Sequence, residues 1–251
     1  METQAADIER LQPFRDAHGQ GEIVFDPTRL RQADPSLFDP GHYGADARSI
    51  GGQGGRGSAW FVRGEFGEGV LRHYRRGGWM AKISEDEYLW RGRAQVRSLR
   101  EFSLLQEMRK HDLPVPIPLA AAYSRSGARY RADLLMQRID GVQTFLDLVR
   151  MRLADAPWRE VGVTISRFHS RGLHHADLNA HNLLIGSEGA GEVFVIDWDK
   201  GSVEPAPGPW CDRVLDRLHR SLRKWLPDVS DAIIGAGMRE LRAAHAQGLQ
   251  S

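Results

Sequence analysis

The chain has 251 residues, a mass of 28.2 kDa, 41% hydrophobic and 27% charged residues, and a formal net charge of +1. This length and composition suit one large folded domain or two lobes, and they exclude a chain that is disordered throughout. A single cysteine, Cys211, excludes an intrachain disulfide and a cysteine-based zinc site, and the near-neutral total charge does not by itself indicate an anionic partner.

The start of the chain and the distribution of apolar residues bear on location. Residues 1–21 contain no apolar run of signal-peptide length, and no later window has 18 uninterrupted apolar residues. The sequence therefore predicts a cytosolic protein that is soluble or attached peripherally to a membrane.

The first half of the chain has the pattern of an antiparallel sheet interrupted by glycine. Residues 21–26 (GEIVFD), 59–62 (AWFV) and 69–74 (GVLRHY) are rich in β-prone side chains. Residues 27–49 contain many proline, aspartate and glycine residues, which predicts a loop. Four apolar side chains at helical spacing predict a helix within residues 86–110. They are Leu99, Phe102, Leu105 and Met108.

The second half alternates short strands with helices. Residues 130–141 (YRADLLMQRIDG) predict a buried strand that turns at its final glycine, and residues 144–173 predict one or two helices. The run GEVFVIDWDK at 191–200 predicts a strand that ends in acidic residues. The arginine-rich tail from Cys211 has a helical pattern.

This order of elements predicts an α+β, bilobal fold. Residues 1–140 are expected to form an N-terminal lobe of antiparallel strands with one helix. Residues 141–251 are expected to form a mainly helical C-terminal lobe.

A polar cluster lies in the stretch GLHHADLNAHNLLI, residues 172–185. His175, Asp177 and Asn182 fit the pattern H-x-D-L-x-x-x-N of protein-kinase-like phosphotransferases, and Asp197 follows an apolar strand as the metal-binding aspartate does there. In that chemistry Asp177 orients a hydroxyl and accepts its proton, while Asn182 and Asp197 hold magnesium at the phosphates. His175 is the second catalytic candidate, expected to brace the loop and not to transfer protons.

Two other interpretations of this cluster stay open. Asp177 and Asn182 suit the caps of a histidine-rich turn. His174, His175 and His181 offer nitrogen ligands for a metal ion. The kinase-like interpretation is favoured because a glycine-rich segment precedes the cluster in the chain.

That glycine-rich segment has the pattern G-x-G-x-x-G at Gly52, Gly54 and Gly57. The pattern fits a flexible hairpin, and it also fits a flap whose backbone covers the phosphates of ATP. Its position before a β-prone run and far ahead of the polar cluster favours the flap.

Other residues lie at the positions where kinase-like sequences have the remaining parts of a nucleotide site. Arg72 stands where kinase-like sequences usually have the lysine that meets the α- and β-phosphates, and Lys82 is the alternative cation. Glu101 is the expected helix partner of this cation, or else a solvated acid. Backbone groups around Met136 to Arg138 would hydrogen-bond adenine, unless this segment is simply a core strand.

Longer strings carry a more specific resemblance. VLRHYRRGGWMAKIS, LPVPIP, HADLNAHNLLI, VIDWDK and RLHRSLRK are similar to sequences of the 3-deoxy-D-manno-octulosonic acid (Kdo) kinases of Gram-negative bacteria, from about Gly52 to Lys224. The resemblance implies a protein-kinase-like fold and ATP- and Mg²⁺-dependent phosphorylation of the 4-hydroxyl of Kdo on a lipid A precursor. It also implies a peripheral position on the cytoplasmic face of the inner membrane, in lipopolysaccharide core assembly.

The distribution of arginine bears on the partners. Cationic clusters suit acidic sugars and an anionic inner-membrane surface, although solvated helix faces explain single arginines equally well. The later cluster consists of Arg213, Arg217, Arg220, Arg223 and Lys224. No nucleic-acid-binding fingerprint is present, and no obligate protein partner is expected. Two alternatives stay open: a phosphotransferase acting on a heptose or an aminoglycoside, and an inactive nucleotide-binding or membrane-associated module.

Overall fold

A computed structural model describes residues 9–50, 59–75, 87–152, 155–187 and 191–250. These residues belong to two compact units. The first unit lies within Met1–Gln106 and Ile117–Arg138, and the second within Glu107–Pro116 and Ile139–Ser251. The boundary after residue 140 stays a prediction.

The first unit contains an eight-stranded sheet in which every pair of neighbours is antiparallel. Its strands are β1 (Arg10–Asp16), β2 (Gly19–Phe25), β3 (Arg48–Ser49), β4 (Ala59–Gly64), β5 (Gly67–His73), β6 (Tyr88–Leu89), β7 (Pro118–Ser126) and β8 (Arg129–Gln137). The order across the sheet is β1-β2-β7-β8-β5-β4-β3, and β6 pairs with β8. The strands predicted at 21–26, 59–62 and 69–74 are confirmed as β2, β4 and β5.

One face of this sheet is covered by residues 26–47. The sequence predicts a loop there, but two 3₁₀ segments form, Pro35–Phe38 and Pro40–Asp46. Asp34 and Asp39 cap them, because each side chain accepts a hydrogen bond from the backbone N–H two residues later. Their apolar side chains join a buried cluster with the sheet. The cluster includes Phe25, Leu30, Phe38, Tyr43, Leu71, Leu119 and Leu135.

Helix α1 (Arg97–Lys110) packs its apolar stripe inward. The four side chains predicted to form that stripe are at most 6% exposed. The helix begins later than residue 86 because Gly92 has a φ of +101° and a 3₁₀ turn, Arg93–Gln95, follows it. Ser98 fixes the helix to β7 by donating a hydrogen bond of 2.8 Å to the carbonyl of Ala122.

The second unit combines short strands with helices. Its strands are β9 (Val142–Thr144), β10 (Leu173–His175), β11 (Leu183–Gly186), β12 (Val193–Val195) and β13 (Gly201–Val203), and its helices are α2 (Phe145–Arg152), α3 (Trp158–His169), α4 (Pro209–Trp225) and α5 (Asp231–Gly248). Strand β11 lies between β9 and β12, and β10 pairs with β13. None of the helices in the described ranges is long and apolar enough to cross a membrane.

Helices α3 and α5 lie in close contact at glycine positions. A Cβ atom at Gly162 would lie 2.2 Å from the backbone oxygen of Leu241, and one at Gly237 would lie 2.2 Å from the Trp158 ring. Near this contact His169 and His245 are both buried, and Nδ1 of the first lies 2.8 Å from Nε2 of the second. Burial of the His169 imidazole, together with the neighbouring histidines, lowers its pKa to about 3.

Candidate active site

The loop that carries Asp177 is held between β10 and β11. Leu178 and Leu183 are buried on either side of its polar residues. Its middle is fixed at Ala180, whose N–H donates to the Ser221 hydroxyl of α4 and whose carbonyl accepts from the N–H of Leu146 in α2. Apolar anchors and backbone hydrogen bonds therefore give the loop a defined shape, which positions its polar side chains.

His175 connects this loop to the segment after β12. Its Nε2 donates to the carbonyl of Ile196 at 2.9 Å, and its Nδ1 accepts from the N–H of Asp177 at 3.2 Å. The ring also packs against the buried Trp198. Burial lowers the pKa of His175, so the neutral ring with a proton on Nε2 matches both hydrogen bonds. In this geometry His175 positions Asp177.

Asn182 and Asp197 lie on the two segments joined by these contacts. The N–H of Ile196 donates to the carbonyl of Asn182 at 3.0 Å. The side-chain nitrogen of Asn182 donates to the carbonyl of Asp177 at 3.3 Å, so its Oδ1 is the atom that can bind a cation. Asp197 has a φ of +64°, which is uncommon for a residue other than glycine.

The backbone around Asp197 is held by Trp198. The indole nitrogen donates to the carbonyl of Val195 at 3.0 Å, and the ring stacks on Phe168 at 5.2 Å. A buried aromatic anchor next to an exposed acid holds the left-handed backbone in place. Such strain is common where a side chain must be aimed at a ligand.

Two cations surround the carboxylate of Asp177. Lys200 places its Nζ 3.4 Å from Oδ2, and Arg217 of α4 donates to Oδ1. Burial would raise the pKa of Asp177, but these charges and hydrogen bonds outweigh burial and lower it. No sequence pattern indicated a role for Lys200, although it directly follows the D-W-D run, and the pattern around Arg217 indicated only membership of a cationic cluster.

In the first unit, Arg72 and Glu101 form an ion pair. Nη2 of Arg72 donates to Oε2 of Glu101 at 2.6 Å, and the hydroxyl of Tyr74 donates to the same oxygen. Glu101 is 1% exposed and Arg72 is 18% exposed. The Arg72 guanidinium also lies over the Tyr74 ring, 4.5 Å from its centroid. Strand β5 alternates faces as expected, since His73 turns the other way and contacts Asp133.

The segment predicted as an adenine-binding hinge is the end of β8. Met136 is buried. The N–H of Gln137 donates to the carbonyl of Ile117 at 2.8 Å, and the N–H of Arg138 donates to the carbonyl of Glu68 at 3.0 Å. The backbone N–H groups of Gln137 and Arg138 thus both donate to carbonyl groups of the protein. Adenine binding by Met136 and Arg138 stays a prediction.

Other predicted site residues lie outside the described ranges or apart from one another. Gly52, Gly54, Gly57 and Lys82 are outside the described residues. The ring of His174 packs against Trp210, and that of His181 packs against Trp225. The described ranges contain no group of three or more His, Cys, Asp or Glu side chains that could hold a metal ion. The histidine-only metal site therefore has no support in this part of the chain.

Comparisons with known proteins agree with the predicted family. The sequence profile described as "Lipopolysaccharide kinase (Kdo/WaaP) family" matches residues 43–241. The 3-deoxy-D-manno-octulosonic acid kinase of Stenotrophomonas maltophilia (strain R551-3) is 52% identical over 216 residues, which is 86% of each chain. The enzyme of the same name from Xanthomonas campestris pv. campestris (strain B100) is 50% identical over 216 residues, again 86% of each chain.

A solved structure of WaaP in complex with acyl carrier protein superimposes with a TM-score of 0.51 at 14% identity, covering 94% of this chain and 99% of that chain. At this identity the likeness concerns the fold, and it confirms the predicted α+β, protein-kinase-like fold. The resemblance to Kdo kinases is confirmed as well. The chain belongs to the lipopolysaccharide kinase (Kdo/WaaP) family.

Proposed function

We propose that this kinase transfers the γ-phosphate of ATP to the 4-hydroxyl of Kdo on a lipid A precursor. The observation that carries the proposal is the loop of His175, Asp177 and Asn182, which hydrogen bonds hold in place. It occurs in a chain with 52% sequence identity to an enzyme named as a Kdo kinase. Family membership makes the protein a phosphotransferase, and the Kdo acceptor comes from those relatives.

Asp177 is the residue proposed to act on the acceptor. Its carboxylate orients the attacking hydroxyl and accepts its proton, while His175 and the backbone of the loop hold it in place. In phosphoryl transfer the protein forms few covalent bonds itself, so rigid positioning of this kind supplies much of the catalysis.

Asn182 and Asp197 are proposed to hold Mg²⁺. Magnesium prefers oxygen ligands and is commonly bound by one or two protein side chains together with water and substrate phosphates. The Oδ1 atom of Asn182 and the exposed carboxylate of Asp197 fit that requirement. When bound, the metal neutralises charge on the phosphates.

Arg72 is proposed to hold the α- and β-phosphates of ATP, with Glu101 orienting it. A planar guanidinium can contact a carboxylate and a phosphate at once, and Tyr74 further restricts its position. The glycines at 52, 54 and 57 are proposed to cover the phosphates, and Met136 and Arg138 to border the adenine.

The protein is proposed to act at the cytoplasmic face of the inner membrane as a peripheral protein. The lipid acceptor requires access to a membrane surface, and α4 carries exposed arginines at 213 and 220. Cations of this kind are attracted to anionic lipid headgroups.

The decisive experiment is an acceptor panel with ATP and Mg²⁺. We expect phosphate on position 4 of Kdo in a Kdo-bearing lipid A precursor, located by NMR of the product. Lipid A precursor without Kdo is the matched control and should accept no phosphate. Transfer to a heptose or an aminoglycoside, with none to Kdo, would refute the proposal.

A further inference from the structure

Three charged side chains from separate parts of the second unit meet at the proposed reaction centre. Asp177 comes from the loop after β10, Lys200 from the turn before β13, and Arg217 from α4. Both cations contact the carboxylate of Asp177, one at each oxygen. We call these three residues the Asp177 cluster.

The Asp177 cluster has one more positive charge than negative charge. Lys200 is 60% exposed and Arg217 is 47% exposed, so both side chains are accessible to a ligand. A carboxylate that is held by two cations also has fewer lone pairs left for a substrate hydroxyl. The described arrangement therefore suits an acceptor that brings its own negative charge and takes over part of this bonding.

Kdo is such an acceptor, since it is an acidic sugar. Its carboxyl group is attached to ring carbon C2 and its 4-hydroxyl to C4, with a single ring carbon between them. An acceptor whose hydroxyl reaches Asp177 thus brings a carboxylate into the neighbourhood of that residue. Arginine binds carboxylates through its planar fork, and lysine adds a mobile point charge.

We propose that Arg217 and Lys200 recognise the carboxylate of the acceptor sugar and so determine specificity for acidic sugars. When the acceptor binds, its carboxylate replaces Asp177 as their partner, and Asp177 becomes available to the 4-hydroxyl. The inference rests on the proposed function, because it takes the acceptor to be Kdo. This exchange replaces ion pairs only, and the phosphoryl transfer is the one step in which covalent bonds are made and broken.

The test compares two acceptors with wild-type enzyme and Arg217→Gln. One acceptor is the Kdo-bearing lipid A precursor, and the other is the same glycolipid with the Kdo carboxyl converted to its methyl ester. In wild-type enzyme the ester should lower kcat/KM by about 10- to 100-fold, the range expected for losing a hydrogen bond between charged groups. Arg217→Gln should cause a similar loss on the acid and little further loss on the ester.

Other variants separate a role in recognition from a structural role. Arg217→Lys should recover part of the activity on the acid, and Lys200→Gln should repeat the pattern of Arg217→Gln. Arg239→Gln, which removes an exposed arginine from α5, is the matched control and should behave as wild type with both acceptors. Thermal melting of each variant reports whether it folds.

The possible outcomes distinguish this inference from the proposed function. If Arg217→Gln and Lys200→Gln lower kcat/KM equally for acid and ester, the two cations do not recognise the carboxylate and the inference is wrong. A raised KM for ATP in these variants would then assign the two cations to the nucleotide. If wild-type enzyme uses acid and ester equally well, the carboxylate is not recognised, and the inference is again wrong while the proposed function stands. If wild-type enzyme phosphorylates neither glycolipid, the proposed function itself fails.

Discussion

Acidification from pH 7 to pH 5 should destabilise the second unit through His169. The imidazole is 1% exposed, and its pKa is lowered from 6.5 to about 3, first by burial and then by the charges of His245, His174 and His175. A histidine with a depressed pKa binds fewer protons in the folded state than in the unfolded state. Its stabilising effect is therefore complete above pH 6.5 and is lost as the pH falls from 6.5 toward 3.

The magnitude follows from the size of this pKa shift. Each pH unit within the window costs about 1.4 kcal/mol, so His169 alone should cost about 2 kcal/mol by pH 5. For a chain of this length that corresponds to a fall of about 4–8 °C in Tm. Burial also lowers the pKa of His245, so its contribution has the same sign.

Thermal melting followed by circular dichroism, in buffers from pH 7.5 to pH 5, measures this effect. His169→Gln removes this titrating group and should make the dependence of Tm on pH shallower, with the contribution of His245 remaining, even if the variant is less stable at pH 7.5. His42→Gln, which changes an exposed histidine of the first unit, is the matched control and should keep the wild-type slope. A Tm that is constant over this range, or equal slopes in wild type and His169→Gln, would refute the reasoning.

Three further predictions concern catalysis and the membrane. Asp177→Asn should keep the wild-type Tm but lower single-turnover phosphate transfer by roughly 10²- to 10⁴-fold, and a folded variant with normal turnover would remove Asp177 from the mechanism. Arg72→Ala should raise the KM for Mg·ATP strongly and Arg72→Lys should recover only part of the loss, whereas Lys82→Ala should be milder; steady-state kinetics showing the reverse order would assign the phosphates to Lys82. Co-sedimentation with vesicles should require anionic lipid and weaken as salt rises, because salt screens the arginines; equal binding to neutral vesicles would contradict attachment by charge.

The loop of His175, Asp177 and Asn182 stands out in the sequence because it combines a fixed spacing with side chains of the types that phosphoryl transfer needs. Leucines in the same stretch indicate where the loop is anchored. The pairing of Arg72 with Glu101 was also suggested by position, since the strand and the helix follow each other in the kinase-like order.

Other features had no local signal. Strand β7 lies near the middle of the sheet but has the sequence PLAAAYSRS, and alanine is a weak β former, so tertiary pairing with β2 and β8 decides its conformation. The two cations at Asp177 come from positions 200 and 217. Only the fold brings such distant positions together, so no spacing rule could have predicted the Asp177 cluster.

Residues 26–47, which cover one face of the sheet of the first unit, are part of the segment that must be present for this unit to fold. The family profile starts at residue 43, yet Phe25, Leu30 and Phe38 belong to the same buried cluster as Leu71. A chain begun at residue 43 would lose β1 and β2, leaving the edge of β7 unpaired and an apolar sheet face in water. Such a truncated protein should aggregate through this edge and this face. The residues needed to bury the core therefore begin before the range that the family profile matches.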